Sequence, residues 1–424
     1  MKRSPQLDRY QQYVDKTLLD TIYEKAQALT GLRILHLNTT ETGGGVAEIL
    51  EALTPVTEEF GIEQDRHIIQ LDEQSNHFTG RLVDLLQGNL PGDVPEKEKR
   101  IFLKKLSEAL PHPEECRADI YYVHDFQLAP LAHLYPWMRP ALWFCHIDTA
   151  HPNPNAENYI RQYLDDYELY TFNTALSVFD NLLPQKTQVV TLGIDPFIEK
   201  NAPMEQERGM AVLARCGIDT QRPLITQVSR FDKWKNPWQV IDIYRQVKQQ
   251  IPQVQVALVG AMEAADDIGA GEVLHKLQGY AKGDPDIHFF YDPKQIQGEE
   301  VNAFQRFSNV ILQRSSREGF GLTVTEAMWK GQPVVGTSVT GLRAQIEDGT
   351  NGYISDDTDA AAKHTLDLLQ DRALKQKLGK QAHEHVREHY LLPMMILSYL
   401  DALEKVHQRH KAKQRTNSPS PVGD

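Results

Sequence analysis

Short runs of β-branched and aromatic residues alternate along this chain with longer segments of helical character. The runs predict strands at Leu32–Leu37, Arg66–Leu71, Ile120–Val123, Leu142–Cys145, Val189–Leu192, Leu224–Val228, Val254–Val259, Ile287–Tyr291, Val310–Leu312 and Pro333–Gly336. Several are apolar almost throughout, which suits parallel strands covered on both faces by helices. Strand, helix, strand at this spacing means repeated right-handed βαβ units, so the fold class is α/β. The pattern runs twice. One series ends near Leu192, and a second starts at Pro223 after a polar, irregular stretch around Asp195–Glu207. This predicts a doubly wound domain over 1–194 and another over 195–385, with a ligand between them at the strand C-termini. An extra helix is expected at about Leu7–Leu29. Two more, Leu374–His389 and Leu392–Gln408, should be broken near Pro393, making 386–410 a terminal helical segment. The last stretch, 411–424 (KAKQRTNSPSPVGD), is polar and proline-containing and is expected to be disordered.

Composition narrows the classes. At roughly 150 residues per domain, 424 residues suggest two to three domains. With 41% hydrophobic and 24% charged residues, most of the length should be folded. Lys+Arg of 45 against Asp+Glu of 58 leaves −13, which disfavours nucleic acid as a partner. Cys116, Cys145 and Cys216 are far apart with no CxxC, which excludes a disulfide framework and a Cys-rich zinc site and fits a reducing compartment. After Met-Lys-Arg the chain is polar (SPQLDRYQQYVDK), so no signal peptide is expected. No run approaches the roughly 20 apolar residues of an integral membrane segment, and the expected location is cytoplasmic.

Four constellations fall at predicted strand ends. Thr42-Gly43-Gly44-Gly45-Val46 follows the first strand and opens a helix, an arrangement that suits an anion or a sugar. Glu48 occupies the third glycine position of GxGxxG and no Lys-Ser/Thr follows, so neither a dinucleotide fingerprint nor a P-loop is present; a plain tight turn is the alternative. In VSRFDKWKNP (228–237), Arg230 and Lys235 can converge on a diphosphate, against the alternative of a solvated basic loop. In SREGFGLTVTEA (316–327), Glu318 and Glu326 flank a glycine turn at Gly321. The helix that opens there would aim the amides of Leu322, Thr323 and Val324 at a phosphate; the alternative is a helix cap with one buried glutamate. His124-Asp125 and His146-Ile147-Asp148 end two neighbouring strands of the first half. Two other patterns are decoys. His385-Val386-Arg387-Glu388-His389 spells an inverted zinc-protease motif on what reads as a surface helix with no third ligand, and Asp284-Pro285-Asp286 reads as a turn. There is no G-x-S-x-G and no Cys/His pair for a hydrolase triad.

EGFGLTVTEA resembles the E-x7-E signature of the retaining nucleotide-sugar glycosyltransferases of family four. VSRFDKWKNP is similar to the basic loop after the first strand of their C-terminal domain, and GQPVVGTSVTGLRAQIEDGTNGYI to the stretch that follows E-x7-E. In the first half, HLNTTETGGGVAEIL, VHDFQLAPL and FCHIDTAHPNPN resemble the trehalose synthases of the glycosyltransferring type; retaining trehalose phosphorylases share parts of the pattern. The resemblance implies a GT-B fold: two facing Rossmann-like doubly wound domains with a C-terminal helix crossing back to the first. It implies retaining transfer of glucose from a nucleoside-diphosphate glucose, such as UDP-glucose, to a small sugar acceptor, glucose itself giving trehalose. Arg230 and Lys235 would neutralise the leaving diphosphate, Glu318 would hold donor-sugar hydroxyls, and His146 would contact the donor sugar near its anomeric carbon. Gly44 and Gly45 would let their loop close over the phosphates, Gly321, Leu322 and Thr323 would cradle them, and Glu326 would hold the ribose. The acceptor would fall to His124, Asp125 and Asp148. No metal and no cofactor is expected beyond the nucleotide sugar as co-substrate, and a homo-oligomer is left open. Two other readings stand beside this one: a trehalose phosphorylase using inorganic phosphate, to which a ribose-binding Glu326 would be of little use, and a non-enzymatic sugar-binding regulator.

Overall fold

The computed structural model describes residues 3–41, 44–88, 90–260 and 270–417. The chain divides into two units, Met1–Leu192 with Leu392–Asp424, and Gly193–Leu391. In the first, strands β1 (Arg33–Asn38), β2 (Glu63–Ile68), β3 (Ile120–His124), β4 (Ala141–Cys145), β5 (Leu169–Phe172) and β6 (Thr187–Val189) form one sheet in the order β2-β1-β3-β4-β5-β6, all pairs parallel. In the second, β7 (Leu224–Val228), β8 (Gln255–Val259), β9 (Ile287–Phe290), β10 (Val310–Gln313), β11 (Val334–Gly336) and β12 (Gly352–Ile354) run β12-β11-β10-β7-β8-β9, again all parallel. The central strands β3, β4, β7, β8 and β10 are buried at every position, as their apolar runs require. In each sheet the first strand lies between two later ones, β1 between β2 and β3 and β7 between β8 and β10. The chain reverses direction across the sheet there. The carboxyl ends of β1 and β3, and of β7 and β10, therefore border the crevices where such sheets hold ligands.

The helix Leu392–Asn417 belongs to the first unit although the whole second unit precedes it. It buries Met395, Ile396, Tyr399, Leu400, Leu403 and Val406, and Lys25 of helix Lys16–Leu29 pairs with its Asp401 (2.6 Å) and Glu404 (3.0 Å).

Several elements depart from expectation. Strands β5 and β12 were not predicted: Leu-Tyr-Thr-Phe is only four residues long, and Gly-Tyr-Ile is a three-residue edge strand. Strand β2 is Glu63–Ile68 rather than Arg66–Leu71, because this edge strand (EQDRHI) is only partly buried and its apolar signal lies after it. Strand β6 is Thr187–Val189 rather than Val189–Leu192. The single helix expected over Leu7–Leu29 is broken: Pro5–Asp8 and the turn Arg9–Gln12 come first, and extended Asp15 starts Lys16–Leu29 afresh. The units part at Leu192/Gly193 and Leu391/Leu392 rather than after 194 and 385. Helix continues to Asn417 where disorder was expected from 411; residues 418–424 lie outside the described residues.

Candidate active site

At the carboxyl end of β7 the loop is held by its own side chains. The Asp232 carboxylate accepts the Trp234 amide (2.9 Å), and Gln227 of β7 donates to the Lys235 carbonyl (3.0 Å). Asn236 takes a left-handed conformation (φ 45°), and Pro237 opens helix Pro237–Gln250. This fixes Lys235 so that its Nζ lies 2.5 Å from Glu318 Oε2. From the β10 side, Ser315 Oγ donates to the same oxygen (3.3 Å), and the Glu318 carbonyl accepts the Gly341 amide (2.9 Å). Gly321 has φ 88°, and a Cβ there would stand 3.1 Å from Glu318 Cγ, so glycine is needed for both the turn and the close approach. Helix Leu322–Trp329 starts immediately after. The Val324 amide, expected to be open, donates to the Gly321 carbonyl (2.9 Å); among the described residues none accepts from the amides of Leu322 or Thr323. Arg230 lies 3.9 Å from Asp232, with its side chain 42% exposed. Lys235, Glu318, Gly321, Leu322 and Thr323 thus come together at the crevice of the second sheet, with Arg230 beside them.

Glu326 lies elsewhere in character. It is buried, its Oε1 pairs with Lys200 (2.7 Å), and its Oε2 accepts from Gln305 (3.1 Å). Lys330, one turn further along the chain, donates to Gln305 Oε1 (2.6 Å) and Asn201 Oδ1 (3.0 Å). Burial alone would raise the Glu326 carboxyl, but Lys200 and Lys330 outweigh it and hold the group below its usual range. Burial pushes Lys330 down to about 7, against the attraction of Glu326. Both Glu326 oxygens are therefore engaged inside the unit, which a ribose contact would have to share. Of this network only Lys330, four residues after Glu326, carries a sequence signal, the helical i,i+4 spacing. Arg314 was likewise not singled out. Directly after β10 and fully buried, it donates to Gln239 Oε1 (3.2 Å) and to the carbonyls of Gly336 (3.0 Å) and Ser355 (2.5 Å). Burial lowers it only to about 10, so it stays charged at neutral pH.

In the first unit, three histidines line up across adjacent strands. His36 Nδ1 lies 2.9 Å from His124 Nε2, and His124 Nδ1 lies 3.0 Å from His146 Nε2. The register explains the row. His36 pairs opposite Tyr122, and His124 opposite Phe144, so each next histidine stands two residues further along and on the same face. Burial drives all three rings toward the neutral form, His36 to about 4, His124 well below its ordinary value and His146 to about 3. His36 was not a sequence candidate; its signal is that it stands on the first strand at a position whose side chain shares the face of the other two. His124 was expected to touch the acceptor, yet it is buried with both ring nitrogens engaged, so it acts as a link in the row instead. Asp125 adopts φ 68°, unusual for a residue with a side chain, and Trp143 Nε1 donates to its carbonyl (2.9 Å). Its carboxylate accepts the Phe126 amide (3.0 Å), and burial raises it to about 6. Asp148 is buried and accepts the Ala150 amide (3.2 Å). Gly44 caps helix Gly45–Glu59 in an extended conformation, where a Cβ would stand 3.3 Å from Thr40 Cγ2; space around Gly45 is open, and Thr42–Gly43 lie outside the described residues. Arg66 of β2, also not a candidate, anchors the approach to this loop by donating to Asn38 Oδ1 (2.9 Å) and to the Thr40 carbonyl.

The decoys have structural partners. Lys248 lies 2.9 Å from both Asp284 and Asp286, Arg222 lies 2.6 Å from Asp286, and the Asp286 amide donates to Asp284 (3.0 Å), which makes the D-x-D a tied turn. Among the described residues no three His, Cys, Asp or Glu side chains converge as metal ligands, those of His385–His389 included. His385→Ala and His389→Ala should keep near-wild-type turnover; zinc at one per chain in the wild type, lost in these variants, would refute this.

The chain aligns with a solved α,α-trehalose 6-phosphate synthase of Burkholderia multivorans at a TM-score of 0.70 and 14% identity, covering 91% of this chain and 100% of that one, which defines the fold as GT-B. Residues 213–385 match the family "Glycosyl transferases group 1", and 36–178 match "Trehalose synthase, N-terminal domain". A trehalose synthase of Thermococcus litoralis is 38% identical over 397 residues, 94% of this chain and 96% of its own. The chain belongs to the trehalose synthase family of group 1 glycosyltransferases, and it is a hexosyltransferase. A trehalose phosphorylase of Pleurotus pulmonarius is 31% identical over 185 residues, 39% of this chain and 25% of its own. No described helix is long and apolar enough to cross a membrane.

Proposed function

We propose that this chain is a retaining glucosyltransferase that moves glucose from a nucleoside-diphosphate glucose to free glucose, giving trehalose. The observation that carries this reading is the Lys235–Glu318 pair at the β7/β10 crevice beside two open helix amides: a cation and N–H donors for a diphosphate, and a carboxylate for sugar hydroxyls. The near full-length likeness to a trehalose synthase supports the acceptor. The reaction must stabilise a departing diphosphate and an oxocarbenium-like anomeric carbon together, so preorganised charge is the main contribution of the chain. Lys235, Arg230 and the amides of Leu322 and Thr323 take the phosphate charge. Glu318 takes donor hydroxyls, His146 faces the donor sugar, and Asp125 and Asp148 serve the acceptor. Retention by same-face attack breaks the bond from the anomeric carbon to the phosphate oxygen, forms the bond to the acceptor oxygen, and passes the acceptor proton to the leaving phosphate.

A phosphorylase would instead release glucose 1-phosphate from trehalose and inorganic phosphate. Glu326 does not separate the two chemistries, because its packing gives it a use without a ribose. Product analysis does: nucleoside diphosphate should appear with trehalose when donor and glucose are supplied. Glucose 1-phosphate formation from trehalose and phosphate, without nucleotide-dependent turnover, would reverse the reading. Binding without either turnover would favour a regulator. Because Arg, Lys and amides carry the phosphate charge, turnover should survive treatment with a chelator. Complete loss, restored by a divalent ion, would refute that.

A further inference from the structure

The histidine row ends at two buried polar atoms. At one end Gln64 Oε1, on β2, lies 2.8 Å from His36 Nε2 and 3.1 Å from the Tyr399 hydroxyl, which is itself 3.1 Å from His36 Nε2. At the other end His146 Nδ1 is buried with no hydrogen-bond partner among the described residues, as are Gln64 Nε2 and the amide oxygen of Asn173, the side chain that faces the His146 ring. His146 Nε2 is taken by His124, so Nδ1 is the ring nitrogen left for a ligand. We infer that Gln64 fixes the tautomer of His146 through His36 and His124, so that His146 Nδ1 carries a lone pair that accepts a hydrogen bond from a sugar hydroxyl.

Each link in the row needs one donor and one acceptor, and a neutral imidazole supplies one of each. The direction is therefore set for all three rings at once. The Gln64 carbonyl oxygen only accepts, so His36 Nε2 carries the hydrogen and His36 Nδ1 accepts from His124 Nε2–H. His124 Nδ1 then accepts from His146 Nε2–H, and His146 Nδ1 is left with a lone pair. Burial keeps the rings neutral, and Arg66, the cation facing His36 and His124, opposes an imidazolium there as well. The rings of Tyr122 and Tyr399, stacked along the row, and of Phe144, tilted against His146, hold it in place. In the reaction proposed above, on which this role rests, positive charge develops on the donor sugar. A lone pair that polarises a sugar hydroxyl is complementary to that charge, whereas an N–H would oppose it. Gln64 is thus a positioning residue that acts across three side chains, against two groups that favour the opposite direction: Tyr399, by donating to His36 Nε2, and the Asn173 amide oxygen, by accepting from His146 Nδ1.

The test is the ¹⁵N spectrum of the full chain labelled at its histidine imidazoles, with His146 assigned from the His146→Gln variant. Wild type should show a lone-pair nitrogen at His146 Nδ1 and a protonated Nε2, and Tyr399→Phe should show the same. Gln64→Met should populate both tautomers and lower kcat about tenfold at nearly unchanged donor KM. If Gln64→Met does not fold, Gln64→Glu serves. Its carboxylate draws a proton onto His36, which then donates both ways and leaves His146 Nδ1 protonated. A protonated Nδ1 in wild type, inversion by Tyr399→Phe, or an unchanged His146 tautomer in the Gln64 variants would overturn the assignment. The spectra need no substrate, so failure of this inference is distinguishable from failure of the glucosyl-transfer reading.

Discussion

Glu318→Gln should lower kcat by about 10- to 150-fold, the loss expected when a charge-assisted hydrogen bond of roughly 1.5–3 kcal/mol is removed at the reacting sugar. Donor KM should change little, because a contact that strengthens as charge develops is lost from the transition state more than from the ground state. The structure adds a second consequence. Glu318 and Lys235 share one short contact, and Ser315 donates to the same carboxylate oxygen. The substitution therefore also frees the ammonium group that faces the diphosphate. Lys235→Ala should cost a similar factor, and the double variant should lose less than the product of the two, since neighbours in one network are not additive. Steady-state kinetics of the three variants, with the donor varied, decides the matter. Strict additivity would separate the roles of the two residues, and an unchanged kcat for Glu318→Gln would remove it from the reacting centre.

Glu326→Gln should act on stability first, where the sequence alone suggested chiefly a rise in donor KM. Removing one partner of a buried ion pair typically costs about 3–5 kcal/mol, because the cations that remain are left without compensation. Lys200, partly exposed, can turn toward water, but Lys330 cannot. The pH dependence identifies Lys330. Its folded pKa of about 7 lies below the ordinary lysine value, so between about pH 7 and 10 the unfolded chain binds more protons than the folded one. Stability of the wild type should therefore rise with pH across that window. Lys375, lowered by burial to about 8, contributes with the same sign. Glu326, held below its usual range, acts with the same sign in the acid range: its stability is present at neutral pH and lost as pH falls through its folded value. Urea midpoints from pH 5 to 10 should show a smaller alkaline rise in Lys330→Met than in wild type. An identical rise in both would mean that Lys330 does not titrate in the folded protein. If Glu326→Gln folds normally and changes only donor KM, the carboxylate is a ligand contact rather than a packing element.

The strand pattern, the doubling of the fold and the polar clusters at strand ends were legible because each is written in consecutive residues. Apolar runs mark central strands, and a glycine turn before a helix marks the Glu318 crevice. What stayed hidden was long-range pairing between residues that look ordinary in their own segments. Lys200 meets Glu326 across more than a hundred positions, and Gln64 meets Tyr399 across more than three hundred. The histidine row is an intermediate case. His124 and His146 stood out at strand ends, but the link to His36 depends on the order β1-β3-β4 and on a two-residue stagger, which the local pattern does not contain. Edge strands such as β2 and β12 were displaced or unseen because half-exposed strands carry little apolar signal.

The first unit is discontinuous in the chain, and that sets an order of assembly on the ribosome. Residues of the second unit are contiguous and can complete their core as soon as they emerge. The first unit, though made earlier, must wait for Leu392–Asn417 to cover the surface that Met395, Ile396, Tyr399, Leu400, Leu403 and Val406 fill. A nascent chain released before that helix would carry an uncovered apolar face and would lack Tyr399 beside His36, so premature termination should yield an aggregating product rather than a half-active one. Completion of the first unit is in this sense coupled to translation through the whole of the second.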